Sequence, residues 1–205
     1  MAKDSEDKRE LRRRDIMKAT LRVFSEKGYS PMVLDDVARE AGIAKGTLYL
    51  YFKDKEDLFH STIMSVIEDY AEMLERELRD DMPPLEVLEL TARSFISYFG
   101  KNRDFFNIHL TVITYNLMSN YSRLFGDLMN RHREFFSFLS GVMEGGKRQG
   151  VIRRDAPTRD LVIAYYGILD QSVSSMVLYQ DGGEMDPEQM ARSAMNIFLQ
   201  GAASR

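Results

Sequence analysis

Three histidines, His60, His109 and His132, and two acid pairs, Asp35-Asp36 and Asp80-Asp81, are the side chains of this sequence with the chemistry to move protons or hold a metal. No two histidines stand at metal-ligand spacing, and no glycine-rich phosphate loop or nucleophile elbow accompanies them. Both acid pairs fall at expected helix ends, where the helix dipole or water accounts for them more simply than acid-base catalysis does. Cysteine is absent, which removes disulfides, thiolate nucleophiles and zinc-thiolate sites together and fits a reducing cytosol. The sequence therefore shows no catalytic apparatus. It is not expected to be an enzyme, and no cofactor or metal is expected.

Charge tells more. The net charge is -4, but residues 1–60 carry 13 basic and 12 acidic side chains, which leaves the acidic excess to the rest. Within the first unit Lys8, Arg9, Arg12, Arg13, Arg14, Lys18 and Arg22 face only Glu10 and Asp15. This is either a solvated helix face or a patch that meets a polyanion. The segment Ile43 to Phe52, "IAKGTLYLYF", sharpens the choice. On a helical wheel Leu48 and Phe52 share one face and belong to a core. Gly46, Thr47 and Leu50 point the other way, and Tyr49 and Tyr51 project from the flanks. Small, hydroxyl and aromatic side chains turned outward after a Gly-bearing turn, beside Lys45, Lys53 and Lys55, suit insertion into a DNA groove.

These residues need helices to hold them. Ile16, Ala19, Val23 and Phe24 recur at helical spacing with Gly28 as a stop, and Leu34, Val37, Ala38 and Ala41 repeat the pattern before Gly42. A long helix is expected from "KDKEDLF" to about Asp80, ended by Pro83 and Pro84. Further helices are expected at Leu85 to Phe99, Asp104 to about Met118, Ser119 to Lys147, Thr158 to Gln180 and Pro187 to Gln200. "GGKRQGVIRRDAPTRDL" reads as a loop. The charged N-terminus has no apolar stretch of signal-peptide type. The apolar window Leu161 to Tyr179 carries Asp170 and Gln171 near its middle, so it reads as a buried helix rather than a membrane span. A cytoplasmic, all-α chain is expected.

"DIMKATLRVFSEKGY" and "LDDVAREAGIAKGTLYLYFKDKEDLF" together resemble the N-terminal helix-turn-helix of the tetracycline-repressor (TetR) family, over roughly Asp15 to Phe59. The resemblance implies an all-helical homodimer: a three-helix DNA-binding domain with a basic arm at 1–55, then a ligand-binding and dimerisation domain at 56–205. It implies double-stranded operator DNA as partner, met by Arg13, Arg14, Ala44, Lys45, Gly46, Thr47, Tyr49, Leu50, Tyr51 and Lys55. Lys45 and Gly46 would open the recognition helix, while Tyr51 and Lys55 match phosphate-contacting positions. Two departures stand out. Met32 and Val33 occupy the place before helix two where the family commonly has a capping Ser or Thr. Leu50 replaces a polar or aromatic residue and could read a thymine methyl.

In the second domain the last two helices would pair with their twins, with Gly167, Ser172, Ser174 and Ser175 allowing close approach and Phe198 contributing to the contact. Phe95, Phe99, His109, Val112, Tyr115, Tyr166 and Asp170 are the candidates to line a cavity for a small apolar or amphipathic effector. The expected function is a TetR-type repressor released from a palindromic operator by that effector. Two alternatives stay open: a DNA-binding organiser or adaptor whose C-terminal domain binds protein, and an enzyme acting on a small molecule.

Overall fold

The computed structural model describes residues 2–28, 31–106, 122–178 and 186–202. Among them every regular element is helical: α1 Ala2–Lys27, α2 Leu34–Glu40, α3 Lys45–Leu48, α4 Lys55–Glu77, α5 Pro84–Lys101, α6 Ser122–Gln149, α7 Thr158–Leu178 and α8 Pro187–Ala202. The helix expected from Asp104 to Met118 lies mostly outside the described residues.

The helix boundaries follow from local chemistry. α1 stops at Gly28, whose φ of 76° only glycine adopts without strain, and Gly28 N–H donates to the Phe24 carbonyl at 2.7 Å. The basic arm is not an extended strand of chain. It continues α1 outward to Ala2, in keeping with its Lys, Arg and Glu content and an i,i+4 ion pair between Glu10 and Arg14 at 3.5 Å. α4 opens on a reciprocal cap: the Asp54 carboxylate accepts from Asp57 N–H at 2.8 Å, and the Asp57 carboxylate accepts from Lys53 N–H at 2.9 Å. Pro84 occupies the first turn of α5, where its missing N–H costs nothing. Gly145 and Gly146 belong to α6 and not to the loop in which the sequence put them, so the true connection is short, running from 150 to 157.

The first four helices share one core. Ile16, Val23 and Phe24 of α1 meet Val37 and Ala38 of α2, Leu48 and Phe52 around α3, and Leu58 and Phe59 from the start of α4, all buried. Phe24 stacks on Phe59 with ring centres 4.7 Å apart. Further along the chain α5 is central and packs against α4, α6, α7 and α8. Tyr165 of α7 locks this arrangement: its buried hydroxyl donates to the Leu88 carbonyl at 2.6 Å and lies 2.6 Å from Thr91 Oγ1.

α7 is not buried all round, as its sequence had implied. Leu161, Val162, Tyr165, Leu169 and Val173 face the core, whereas Ile163, Gly167 and Leu178 are exposed. Among the described residues no helix is long and apolar enough to cross a membrane.

Candidate nucleic-acid interface and ligand cavity

α2 and α3 are joined by a short turn that must reverse direction sharply. Gly42 takes it at φ 65°, and Ile43 N–H donates back to the Ala38 carbonyl at 2.9 Å. Ala44 then sits in extended geometry as the cap residue of α3. α3 is shorter than the sequence implied. It closes after Leu48, and residues 49–51 continue as a tight turn in which Leu50 N–H donates to Thr47 and Tyr51 N–H to Leu48. Phe52 N–H still donates to the Leu48 carbonyl at 3.1 Å, so Leu48 and Phe52 keep one face despite the tighter turn.

The two faces of this segment separate as its pattern implied. Leu48 and Phe52 are buried, while Tyr49 is 50% and Leu50 71% exposed. Ala44, Lys45 and Gly46 are exposed and Thr47 is half-buried. A Cβ added at Gly46 would meet nothing within 4 Å, so nothing inside the protein demands glycine there. Val33 caps α2 without any side-chain hydrogen bond, so this helix start does without the hydroxyl that a Ser or Thr would supply.

Ion pairs link the first three helices. Arg22 and Glu40 meet at 2.6 Å and Lys27 and Asp36 at 2.9 Å, both tying α1 to α2. Lys45 reaches Asp35 at 2.9 Å, tying α3 to α2. The Lys27 hydrogen bond holds the Asp36 carboxyl below its ordinary range, and Asp35 raises the Lys45 ammonium above its own. Lys55 is half-buried, and burial lowers its pKa.

The basic cluster divides into two uses. The Arg13 guanidinium lies 5.0 Å from the Phe52 ring centre and covers it, and Arg9 stands 6.0 Å from the ring of the half-buried Tyr51. These cations are partly structural, and Tyr51 is less outward than its flank position implied. Lys8, Arg12 and Arg14 are exposed, Lys8 and Arg12 on one face of α1 and Arg14 on another. With Leu11 and Leu50, Lys8, Arg9 and Arg12 border an open cleft between α1 and the turn after α3.

Behind this unit a cavity of about 440 Å³ lies between α4, α5, α6 and α7. Phe95, Phe99, Tyr166 and Asp170 are among its lining residues; His109, Val112 and Tyr115 lie outside the described residues. Sequence reading missed the walls from α4 (Ile67, Tyr70) and α6 (Leu128, His132, Phe135). Their three- and four-residue spacing was visible, but a helix stripe that faces a cavity looks the same as one that faces a core.

The cavity is rich in aromatic rings. Tyr70 packs against Phe99 at 5.0 Å, Phe95 at 5.9 Å and Phe135 at 6.3 Å between ring centres. Burial pushes the Tyr70 phenol well above 10.0, so it stays a neutral hydroxyl. Burial, with the nearby charge of Asp170, raises Tyr166 likewise. α4 and α6 are also bridged near the start of α4, where His60 Nε2 lies 2.8 Å from Asp127 Oδ2, and again by Arg131 and Glu68 at 3.4 Å.

Two groups of the small residues expected at a dimer contact turn out differently. Gly167 is exposed and a Cβ there would meet nothing in its own chain. Ser174 and Phe198 are buried inside the protomer, Phe198 against Tyr165 with ring centres 5.2 Å apart. Phe198 is thus a core residue and not a contact residue, because the apolar stripe of α8 faces α5 and α7.

Residues 16–62 match the family described as bacterial regulatory proteins, tetR family, and residues 81–202 match the tetracyclin repressor-like C-terminal domain. Along the chain, similarity is spread over nearly full length. The fatty acid metabolism regulator protein of Bacillus subtilis is 24% identical over 187 residues, 91% of this chain and 93% of that one. The HTH-type transcriptional repressor KstR2 of Rhodococcus jostii is 27% identical over 202 residues, 94% and 92% respectively. The structure of FadR from Bacillus subtilis in complex with stearoyl-CoA shares the fold, with a TM-score of 0.75 at 24% identity over 91% of this chain and 97% of that one. A helix-turn-helix unit joined through a shared α4 to a helical domain, both halves matched over these spans, makes the chain a member of the TetR family of transcriptional regulators.

Proposed function

We propose that this protein is a cytoplasmic repressor that binds a palindromic operator as a homodimer and leaves it when an elongated apolar or amphipathic molecule occupies the cavity. The observation that carries the reading is the double duty of α4. Its first turn puts Leu58 and Phe59 into the core of the DNA-binding unit, while Ile63, Ile67, Tyr70 and Leu74 further along the same helix wall the cavity. A ligand that shifts α4 must shift the unit that reads DNA. Such a ligand changes operator affinity only by the difference in its own affinity for the two positions of α4.

Tyr49 and Leu50 read bases in the major groove, Gly46 admits the sugar-phosphate backbone, and Lys8, Arg12 and Arg14 meet phosphates. Ile163 and Gly167 on α7, with Ile197 and Gly201 on α8, are exposed pairs four residues apart, the pattern of a helix face that packs on its twin. The relatives named for fatty acid metabolism and solved with stearoyl-CoA support a long apolar effector, and 440 Å³ lies within the usual range of about 300–1,000 Å³ for small-molecule sites.

Selection of bound duplexes from a random pool would give the operator. Anisotropy of the full chain on that operator, with long-chain apolar compounds added, then tests release. A pool that yields no palindrome, or an operator complex that no such compound weakens, overturns the proposal.

A further inference from the structure

The hydroxyl of Tyr70 is the odd group in this cavity. Tyr70 is only 6% exposed, its side chain lines the cavity, and its Oη finds no hydrogen-bond partner among the described residues. The comparison within the same protein is direct. Tyr165 satisfies its buried hydroxyl at Leu88 and Thr91, and Tyr98 donates to the Val66 carbonyl at 3.0 Å. A buried hydroxyl without a partner costs the full loss of its water, so an orphan among satisfied neighbours marks a place where something else completes the bond.

The charges around the cavity narrow what that is. Among the described residues its charged walls are Glu75, Glu134, Asp170 and Arg131, with the titratable ring of His132 beside them. Arg131 is already committed: it pairs with Glu134 at 3.0 Å and with Glu68 at 3.4 Å, which together raise its pKa. A carboxylate or phosphate brought inside would meet acids and find no uncommitted cation among the described walls, and burying an unpaired charge is costly. An ammonium would be drawn to the same acids and rings but would give up its water among Phe95, Phe99 and Phe135, so its binding is the outcome opposed to a neutral oxygen.

We infer that the effector carries an uncharged oxygen, an alcohol or carbonyl at the end of or along an apolar skeleton, which Tyr70 Oη hydrogen-bonds inside the cavity while the acidic walls reject anionic analogues. This rests on the ligand-responsive reading above and specifies its ligand class. A phenol both donates and accepts, so an alcohol can bond it in either sense and a carbonyl can take its proton.

The test uses the full chain and three probes of one chain length, 1-dodecanol, dodecanoate and dodecylammonium, each below its micellar concentration and titrated calorimetrically. Dodecanol should bind at least about tenfold more tightly than dodecanoate. Tyr70→Phe should cut dodecanol affinity by roughly two- to tenfold, the worth of one neutral hydrogen bond, while melting no lower than the parent because it deletes an unsatisfied group. A Tyr70 that serves only to hold the fold would instead melt lower on substitution. Dodecanoate binding as well as dodecanol, dodecylammonium binding tightest, no binding by any probe, or full dodecanol affinity in Tyr70→Phe would each overturn the inference. Tyr70-dependent dodecanol binding that leaves the operator complex intact would uphold it and refute only the release mechanism.

Discussion

Replacing Phe52 and Tyr49 by alanine in separate proteins probes the segment where folding and reading meet within four residues. Phe52 is 2% exposed and sits under Arg13 in the core of the DNA-binding unit. Truncating it removes nearly a whole buried ring and leaves a cavity, so the penalty falls in the range of about 3–5 kcal/mol for such sites, and the Arg13 guanidinium is left with no ring beneath it. Small domains have little stability in reserve, and Phe52→Ala should lose much of it. Tyr49 exposes half its surface, and its backbone turn is held by main-chain hydrogen bonds that alanine keeps. Tyr49→Ala should therefore change stability by less than about 1 kcal/mol. It should cost about 1–3 kcal/mol in operator binding if the ring reads a base, with a smaller loss on random duplex. Thermal melting and anisotropy on both duplexes measure the pair. A Tyr49→Ala protein that melts as early as Phe52→Ala, or binds operator like the parent, would refute the assignment of faces.

Ile163→Asp and Gly167→Arg should each weaken self-association in sedimentation with little change in the melting temperature of the monomer, because Ile163 is about half exposed and a Cβ at Gly167 would meet nothing in its own chain; an intact dimer in both would move the interface elsewhere. Lys8→Gln with Arg12→Gln should reduce the slope of log affinity against log salt by about one for each phosphate no longer neutralised, and an unchanged slope would make those cations merely solvated. Lys27→Met removes the group that depresses Asp36. A depressed carboxyl stabilises the fold above its unfolded pKa, near the ordinary 3.8, and that contribution is lost as pH falls through its folded value. The variant should thus show a shallower fall in stability below about pH 4; an acid limb identical to the parent's would show that the Lys27 pair contributes nothing.

What could be read directly from the sequence was whatever is encoded in one or two helical turns. Gly28 and Gly42 ended their helices, and Leu48 and Phe52 went in while Tyr49 and Leu50 stayed out. Each is a matter of side-chain period or backbone sterics, which neighbours in sequence settle. Tertiary structure decided what depends on partners far along the chain. Phe198 turned inward because Tyr165 lies against it, Arg13 became a cover because Phe52 lies beneath it, and His60 met Asp127 sixty-seven residues away. Tyr70, Tyr98 and Tyr165 are indistinguishable as residues, yet two have hydrogen-bond partners and one has none among the described residues. The sequence contains every tyrosine, but a hydroxyl's partner is set by which helix packs across from it, and only the assembled α4, α5, α6 and α7 put Tyr70 on the cavity wall and bury its oxygen with no partner among the described residues.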